Sequence, residues 1–374
     1  MDNLTHTLFA VTLGRTRLGR AGRGTTTALV LASNAPDIDI IATVRGGASY
    51  LQWHRGPTHG PLGVVLLSAL TAAIVWRVQR ARDRTPNPRD ETPSASFGML
   101  WAVSVLGILC HILMDLPTSY GTRLLSPFDW HWFAADLMPI VDVYLVAALF
   151  AGLLFGEASE AARRRNAAIV LALMAANYGV RAVARHEAIG LAPRVFGPLM
   201  PQPCDPGRTD HPLLVRWPET GAALPSTMPA GASRCLADLA AMPTFLSPFK
   251  WRLIARLSNA YELHDVDILD TTLRRPAEAG AAPWRVTVRY PDQWTPLVKA
   301  AAAAPLAQTF LGFSRYPAAR WVADPQSGVV TVRWTDMRFA GGMTQDQRAS
   351  RGNLFEATVR VAPDGTLISE QLGQ

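Results

Sequence analysis

FGMLWAVSVLGILCHILMD, residues 97–115, carries no charge over its first fourteen positions and ends in His111 and Asp115. As a helix rising about 1.5 Å per residue it extends roughly 28 Å, close to the hydrocarbon thickness of a bilayer. The last turn sets His111 and Asp115 four residues apart, hence on one face. An aspartate at the centre of a spanning helix costs about 2.5–3.5 kcal/mol on insertion scales. Such a residue faces a cavity or a partner, and a functional site is its default reading.

Working outward, PLGVVLLSALTAAIVWR (61–77) and MPIVDVYLVAALFAGLLFG (138–156) are runs of the same kind. A fourth, 167–184, is interrupted by Asn177 and Arg181, and a fifth, 25–44, holds Asn34, Pro36, Asp37 and Asp39. Residues 3–14 are too short to span. The expected fold is a membrane α-helical bundle of about five spans plus a short N-terminal helix, followed by a β-rich soluble domain. The boundary falls near residue 188, with the bundle at 1–188 and the second domain at 189–374.

The composition agrees: 49% of the 374 residues are hydrophobic and 17% charged, against about 25% charged in an ordinary soluble protein. The formal charge is +7, and Lys250 and Lys299 are the only lysines. The arginines lie in short loops between apolar runs, which points to membrane topology rather than nucleic acid, since no basic stripe with interleaved aromatics is present. Segments 15–23, 77–91 and 157–165 hold 12 arginines, whereas 43–60 and 116–136 hold three. The positive-inside rule places the first set in the cytoplasm, and an extracytoplasmic C-terminal domain follows. The start, MDNLTHTLFAVTLGR, has Asp2 where a signal peptide carries basic residues, so it is expected to stay in the mature chain.

Residues 193–248 hold 11 of the 28 prolines and read as irregular, extended chain. Beyond them WRVTVRY (284–290), VVTVRWTD (329–336) and LFEATVRV (354–361) alternate with period two, and DPQSG (324–328) and APDG (362–365) signal hairpin turns. Three cysteines exclude a Cys-rich module. Cys204 and Cys235 either pair, if their domain is outside the cytosol, or stay free thiols.

The assigned orientation gathers the ionisable residues of the membrane half at its outer face. Asp37 and Asp39 follow Pro36, His54 and His59 lie in HRGPTHG (54–60), His111 and Asp115 end their helix, and Asp136 and Asp142 flank the next. His6 joins them if the first helix starts on the outer side. Histidine and aspartate without cysteine are the ligands of hydrolytic metal sites, suited to zinc, with manganese or iron as alternatives. The candidate ligands outnumber one tetrahedron, so one or two ions fit, with His111, Asp115 and His59 on one and Asp37 or Asp39 with His6 or His54 on the other. A spare carboxylate, Asp39 or Asp136, would accept the proton. The loop after Asp115 supplies Thr118, Ser119, Tyr120 and Arg123, which with Arg55 would orient an anionic substrate. Each element also has a plainer reading. The His111–Asp115 pair serves equally as a hydrogen bond between helices, APDID (35–39) as a helix cap and turn, His131 in DWHWF as a headgroup anchor, and Asp142 as a cap.

Taken in order, MDNLTH, APDID, HRGPTHG and HILMDLPTSYGTRLLSPF (111–128) resemble the bacterial inner-membrane metal-dependent hydrolase family, also called LexA-binding, inner-membrane-associated hydrolases. The resemblance covers residues 1–156. MPTFLSPFKWRLIARL (242–257) and FLGFSRYP (310–317) look like its longer members. It implies a small helical bundle in the bacterial inner membrane and metal-dependent hydrolysis. It carries over to His6, Asp37, Asp39, His54, His59, His111 and Asp115. Gly60 departs from the pattern, since the family often has serine there. The partners implied are membrane lipid and a lipid or other small-molecule substrate, and no particular protein partner is indicated. Two rival functions are a transporter whose His/Asp cluster lines a pathway, and a non-catalytic scaffold or sensor.

Overall fold

The computed structural model describes residues 1–84, 92–155, 159–196, 200–205, 211–217, 235–273, 288–340 and 355–373. The chain divides into two compact units, Met1–Ile41 with Trp53–Ala182, and Ala42–Gln52 with Val183–Gln374.

The first unit is helical. In chain order its elements are α1 (Asn3–Gly14), α2 (Thr25–Ala32), the 3₁₀ segment Pro36–Arg45, α3 (Gly47–Trp53), α4 (Pro61–Asp83), α5 (Phe97–Asp115), a short strand β1 (Trp132–Ala134), α6 (Val143–Leu154) and α7 (Glu160–Gly190), which runs on into the second unit. α5 packs against α4 and α2, and α1 packs against α2 and α6. The burial along α4 suits a lipid solvent: Leu62, Val65, Leu66, Leu70 and Ile74 are exposed, while Gly63, Ser68, Thr71 and Ala72 face inward. Small and weakly polar residues let helix backbones approach, and lipid covers the apolar stripe. At Gly107 a Cβ would stand 2.9 Å from the Ala32 Cβ, so only glycine admits the α2–α5 contact.

Among the described residues three helices are long and apolar enough to cross a membrane, Pro61–Asp83, Phe97–Asp115 and Glu160–Phe196, or up to four if the bent pair Thr25–Ala32 and Pro36–Arg45 is one span. The span expected at 138–156 is only the twelve-residue α6, about 18 Å long. The backbone N–H groups of Leu137 and Met138 donate to the Pro117 carbonyl instead. The Asp142 side chain then accepts from Leu145 N at 2.8 Å and starts the helix late. Gly156, at the end of that run, lies outside the described residues. The candidate at 167–184 is the middle of α7.

The second unit contains α8 (Ala192–Phe196), β2 (Val215–Trp217) and two four-stranded antiparallel sheets. One has the order β3 (Leu236–Pro243), β4 (Lys250–Leu257), β5 (Ala260–Asp267), β6 (Val288–Pro291). After α9 (Pro296–Ala301) and α10 (Pro305–Phe313) comes the other, built from β7 (Pro317–Ala323), β8 (Val330–Asp336), β9 (Glu356–Val361) and β10 (Leu367–Leu372) as a meander. Met242, Ile254, Tyr261 and Tyr290 of the first sheet share a core with Tyr316, Ala318 and Met337. The two turn signals join β7 to β8 and β9 to β10, as expected. Trp284–Thr287 and Leu354, parts of two expected strands, lie outside the described residues. LADLAAMP (236–243), expected to be irregular, is strand β3. It is an edge strand with Pro243 at its end, the position at which a sheet tolerates proline. Cys204 and Cys235 form a disulfide, and Cys110 is free.

Burial raises the Asp292 carboxyl to about 6, opposed by the Ala319 N–H that donates to it at 2.9 Å. Because its folded pKa lies above the unfolded one, the native state holds this proton more tightly, and Asp292 destabilises the unit as pH rises through that window. The thermal midpoint of the wild-type chain should therefore fall between pH 4 and pH 7 relative to Asp292→Asn. Equal slopes for the two chains would contradict this.

Candidate metal centre

Four elements bring the candidate ligands together. Pro36 cannot continue α2, and the chain proceeds as a 3₁₀ segment with about three residues per turn. Two positions apart, Asp37 and Asp39 therefore leave it in different directions. Asp37 reaches His111, with its Oδ1 3.6 Å from Nε2, and His59, at 3.9 Å. Asp39 turns to the loop before α4, accepting from Arg55 N at 2.7 Å and Thr58 Oγ1 at 3.2 Å, with His54 Nδ1 at 3.0 Å.

The α5 face presents His111 and Asp115 as its spacing requires, with Nε2 to Oδ2 at 3.4 Å. His59 Nε2 lies 3.4 Å from the same Asp115 oxygen and 3.1 Å from His111 Nε2. Asp37, His59, His111 and Asp115 thus offer four ligand atoms within 4.8 Å of one another. Three of the four residues are buried, and Asp37 alone is partly exposed.

The proton positions suit a cation. His111 Nδ1 is 2.8 Å from the Ser33 carbonyl, which can only accept, so Nδ1 carries the proton and Nε2 the lone pair. His59 Nδ1 lies 3.0 Å from Thr58 Oγ1, whose own proton goes to Asp39, which again leaves Nε2 as the acceptor. Burial, with His111 and Arg55 nearby, holds the His59 imidazole well below the usual histidine range and keeps it neutral. Two acceptor nitrogens at 3.1 Å repel unless a positive charge lies between them. Asp115 Oδ2, the third atom of the group, is buried with no hydrogen-bond partner among the described residues. Ligands about 2.0–2.2 Å from a shared tetrahedral ion stand about 3.3–3.6 Å from one another. The observed separations bracket that range, so the donor set fits a metal such as zinc.

The other candidates take different places. His54 and Asp39 are joined to each other and to the loop, so Asp39, expected as ligand or proton acceptor, holds the His59 segment in position. Both of its carboxylate oxygens are engaged. Asp136 is buried at a left-handed backbone position, φ 53°, and is not one of the four converging residues. His6 is fully buried, stacks on His111 at 3.9 Å between ring centroids, and has Nε2 3.4 Å from Asp115 Oδ1. Asp142 caps α6 and pairs with the buried Arg181. His131 pairs with Asp129.

Of the expected substrate contacts, Arg55 is a strut. It donates to Asp115 Oδ1 and Thr118 Oγ1, each at 3.1 Å, and to the Gly121 carbonyl at 3.2 Å, and it lies over the Tyr120 ring. Arg123 lies against Trp130 and Trp132, and burial lowers its pKa to about 10. Ser119 is half-buried in the same loop. Three contributors escaped the sequence: the Ser33 carbonyl, the Thr58 hydroxyl and the Met1 amine, which forms an ion pair with Asp115. Thr58 was the most findable of them, as the hydroxyl residue directly before His59.

Gly60 has a steric reason. A Cβ there would lie 1.7 Å from the Ser126 carbonyl oxygen, so a serine cannot enter at this position without moving that peptide. Gly60→Ser should displace His59 and weaken metal binding by roughly 10–100-fold, the usual loss when a ligand's support is removed. Unchanged affinity in a zinc titration would show that the loop yields freely.

Comparisons with known proteins cover part of the chain. The family model described as YdjM inner membrane protein matches residues 1–188. An uncharacterized protein of Bacillus subtilis (strain 168), YfhP, is 28% identical over 153 residues. That match covers 39% of this chain and 43% of the relative's length, so the two are compared over less than half of either. No solved structure matches.

Proposed function

Since the chain belongs to the YdjM inner membrane protein family, we propose that it is a membrane-bound metal-dependent hydrolase acting at the outer face of the inner membrane. The observation that carries this is the convergence of Asp37, His59, His111 and Asp115 on one small, mostly buried space at the end of a membrane helix. A zinc ion bound there would polarise a scissile bond and lower the pKa of a water toward about 7. The protein's own part is to hold the ligands. Ser33 and Thr58 set the two imidazoles as acceptors, Asp39 anchors the loop that carries His59, and Arg55 ties Asp115 to the loop after α5. Asp37, the partly exposed ligand, marks the side from which substrate enters. The Asp37 oxygen left off the ion would take the proton at that mouth.

The substrate class proposed is a lipid or lipid-linked phosphoester. Leu125, Phe128 and Trp130 are exposed on the loop that carries Arg123, a composition suited to headgroup depth, where a substrate enters laterally. Ser119, Tyr120 and Arg123 would meet its anionic group. The arginine distribution supports an outward C-terminal unit, and so does the Cys204–Cys235 disulfide, a bond that persists in oxidising compartments.

Elemental analysis of the full chain purified in detergent, paired with a panel of phosphoester and lipid substrates, tests this. Tightly bound transition metal and a hydrolysed substrate, both lost in His111→Ala, are expected. A correctly folded wild type that stays metal-free under metal-replete conditions would sink the enzyme reading.

A further inference from the structure

We propose that the β-rich unit binds the alkyl chain of a single-chain lipid, in a cavity between the α9–α10 helix pair and the sheet β7–β10. The site is independent of the metal centre.

The cavity measures about 410 Å³, within the roughly 300–1,000 Å³ of ordinary small-molecule sites. Ala300, Ala301, Ala303 and Ala304 form one wall, where α9 passes into α10, and Val359 and Val361 of β9 form the other. The run KAAAAAP (299–305) is the cause. Pro305 starts α10 at its first position, and the methyl side chains before it are too short to close the space against the sheet. Leu297 and Leu367 also line the cavity and stand 40% and 44% exposed, which leaves an apolar rim at its entrance.

Every side chain that lines the cavity is aliphatic. The main-chain groups beside it are already engaged. β9 pairs with β8 on one side and β10 on the other. Ala303 N and Ala304 N donate to the Ala300 and Ala301 carbonyls, each at 3.1 Å, and Leu306 N donates to Glu370 Oε2 at 2.9 Å. A sugar, a nucleotide or a peptide would bury polar groups here without partners, a penalty that a hydrocarbon does not meet. With no aromatic ring in the described lining to stack on, a flat aromatic ligand gains nothing over a flexible chain. The uncharged lining matches an uncharged chain, whose head group stays in solvent beyond the rim. α7, part of a helix able to cross a membrane, leads into this unit, so lipids are the apolar ligands within its reach.

The test uses the full chain in digitonin, a detergent without an alkyl chain, and a long-chain alcohol that carries a diazirine near its methyl end. Its photoadducts are mapped by mass spectrometry. Adducts are expected within residues 297–305 and 359–367, competed by unlabelled alcohols whose affinity rises about four-fold per added methylene until the cavity is full. Ala300→Trp, at an exposed position of the wall, should abolish them by closing the entrance. Ala304→Leu should do so from within, with a thermal midpoint at or above the wild-type value; if it does not fold, Ala300→Trp decides. No adduct on either segment overturns the proposal, as do adducts that persist in Ala300→Trp and a competition that ignores chain length. Competition by an apolar peptide and not by the alcohols would assign the cavity to a peptide and overturn it too.

Discussion

Asp115→Ala should cost the purified chain essentially all of its bound metal and a large part of the stability of its helical unit. The carboxylate serves both ends of the cluster. Its Oδ2 is 3.4 Å from each of His59 and His111, and its Oδ1 pairs with the Met1 amine and Arg55. Removing it leaves a guanidinium that is 4% exposed without its counter-charge, and the Met1 amine without its contact. Stripping one partner from a buried ion pair typically costs about 3–5 kcal/mol. Loss of metal alone would not separate ligation from unfolding, and Asp37→Ala does. Asp37 is partly exposed and belongs to the 3₁₀ segment, so its removal should abolish tight metal binding while the thermal midpoint of the metal-free chain moves little. Metal retained at wild-type level in Asp37→Ala would remove that residue from the centre.

The second large effect is expected in the β-rich unit. Arg338 and Asp336 form a fully buried pair in which Nε and Nη2 meet Asp336 Oδ2 at 3.0 and 2.7 Å. The guanidinium also donates to the Phe313 carbonyl at 3.1 Å and lies against Trp217, Phe313 and Phe339. Arg338→Met should lower the unfolding free energy by about 3–5 kcal/mol, because Asp336 stays buried and unpaired. The double variant Arg338→Met with Asp336→Leu should recover most of that loss, since a well-packed apolar pair replaces an ion pair at little or no net cost. Tryptophan fluorescence during denaturant unfolding of the full chain, with Trp217 and Trp334 in this unit, follows both. A single variant as stable as wild type would show that the charge is already compensated elsewhere.

The helices at 61–77 and 97–115 were legible because hydropathy over nineteen or so residues is a sum, insensitive to neighbours. The run at 138–156 misled for the same reason. Its apolar total is high, yet Asp142 is engaged as a cap and as the partner of Arg181 on α7. Arg181, read as an interruption of its own helix, is that pair's other half. In the β-rich unit, period-two alternation located β8 and β9. It missed β3, whose alanines and terminal proline carry little strand signal until β4 pairs with them.

Local chemistry alone determined which residue types this protein commits to its membrane half. Histidines and aspartates placed where hydrocarbon makes them costly need a partner, wherever it comes from. It determined too that His111 and Asp115 act together, because four residues make one helical turn. Only the folded chain could decide that Asp37 joins them while Asp39 supports the loop, and that the Met1 amine reaches Asp115 across 114 residues. Those choices depend on the direction in which a 3₁₀ segment and a helix cap throw their side chains across the bundle, and direction in space is not a property of residue spacing.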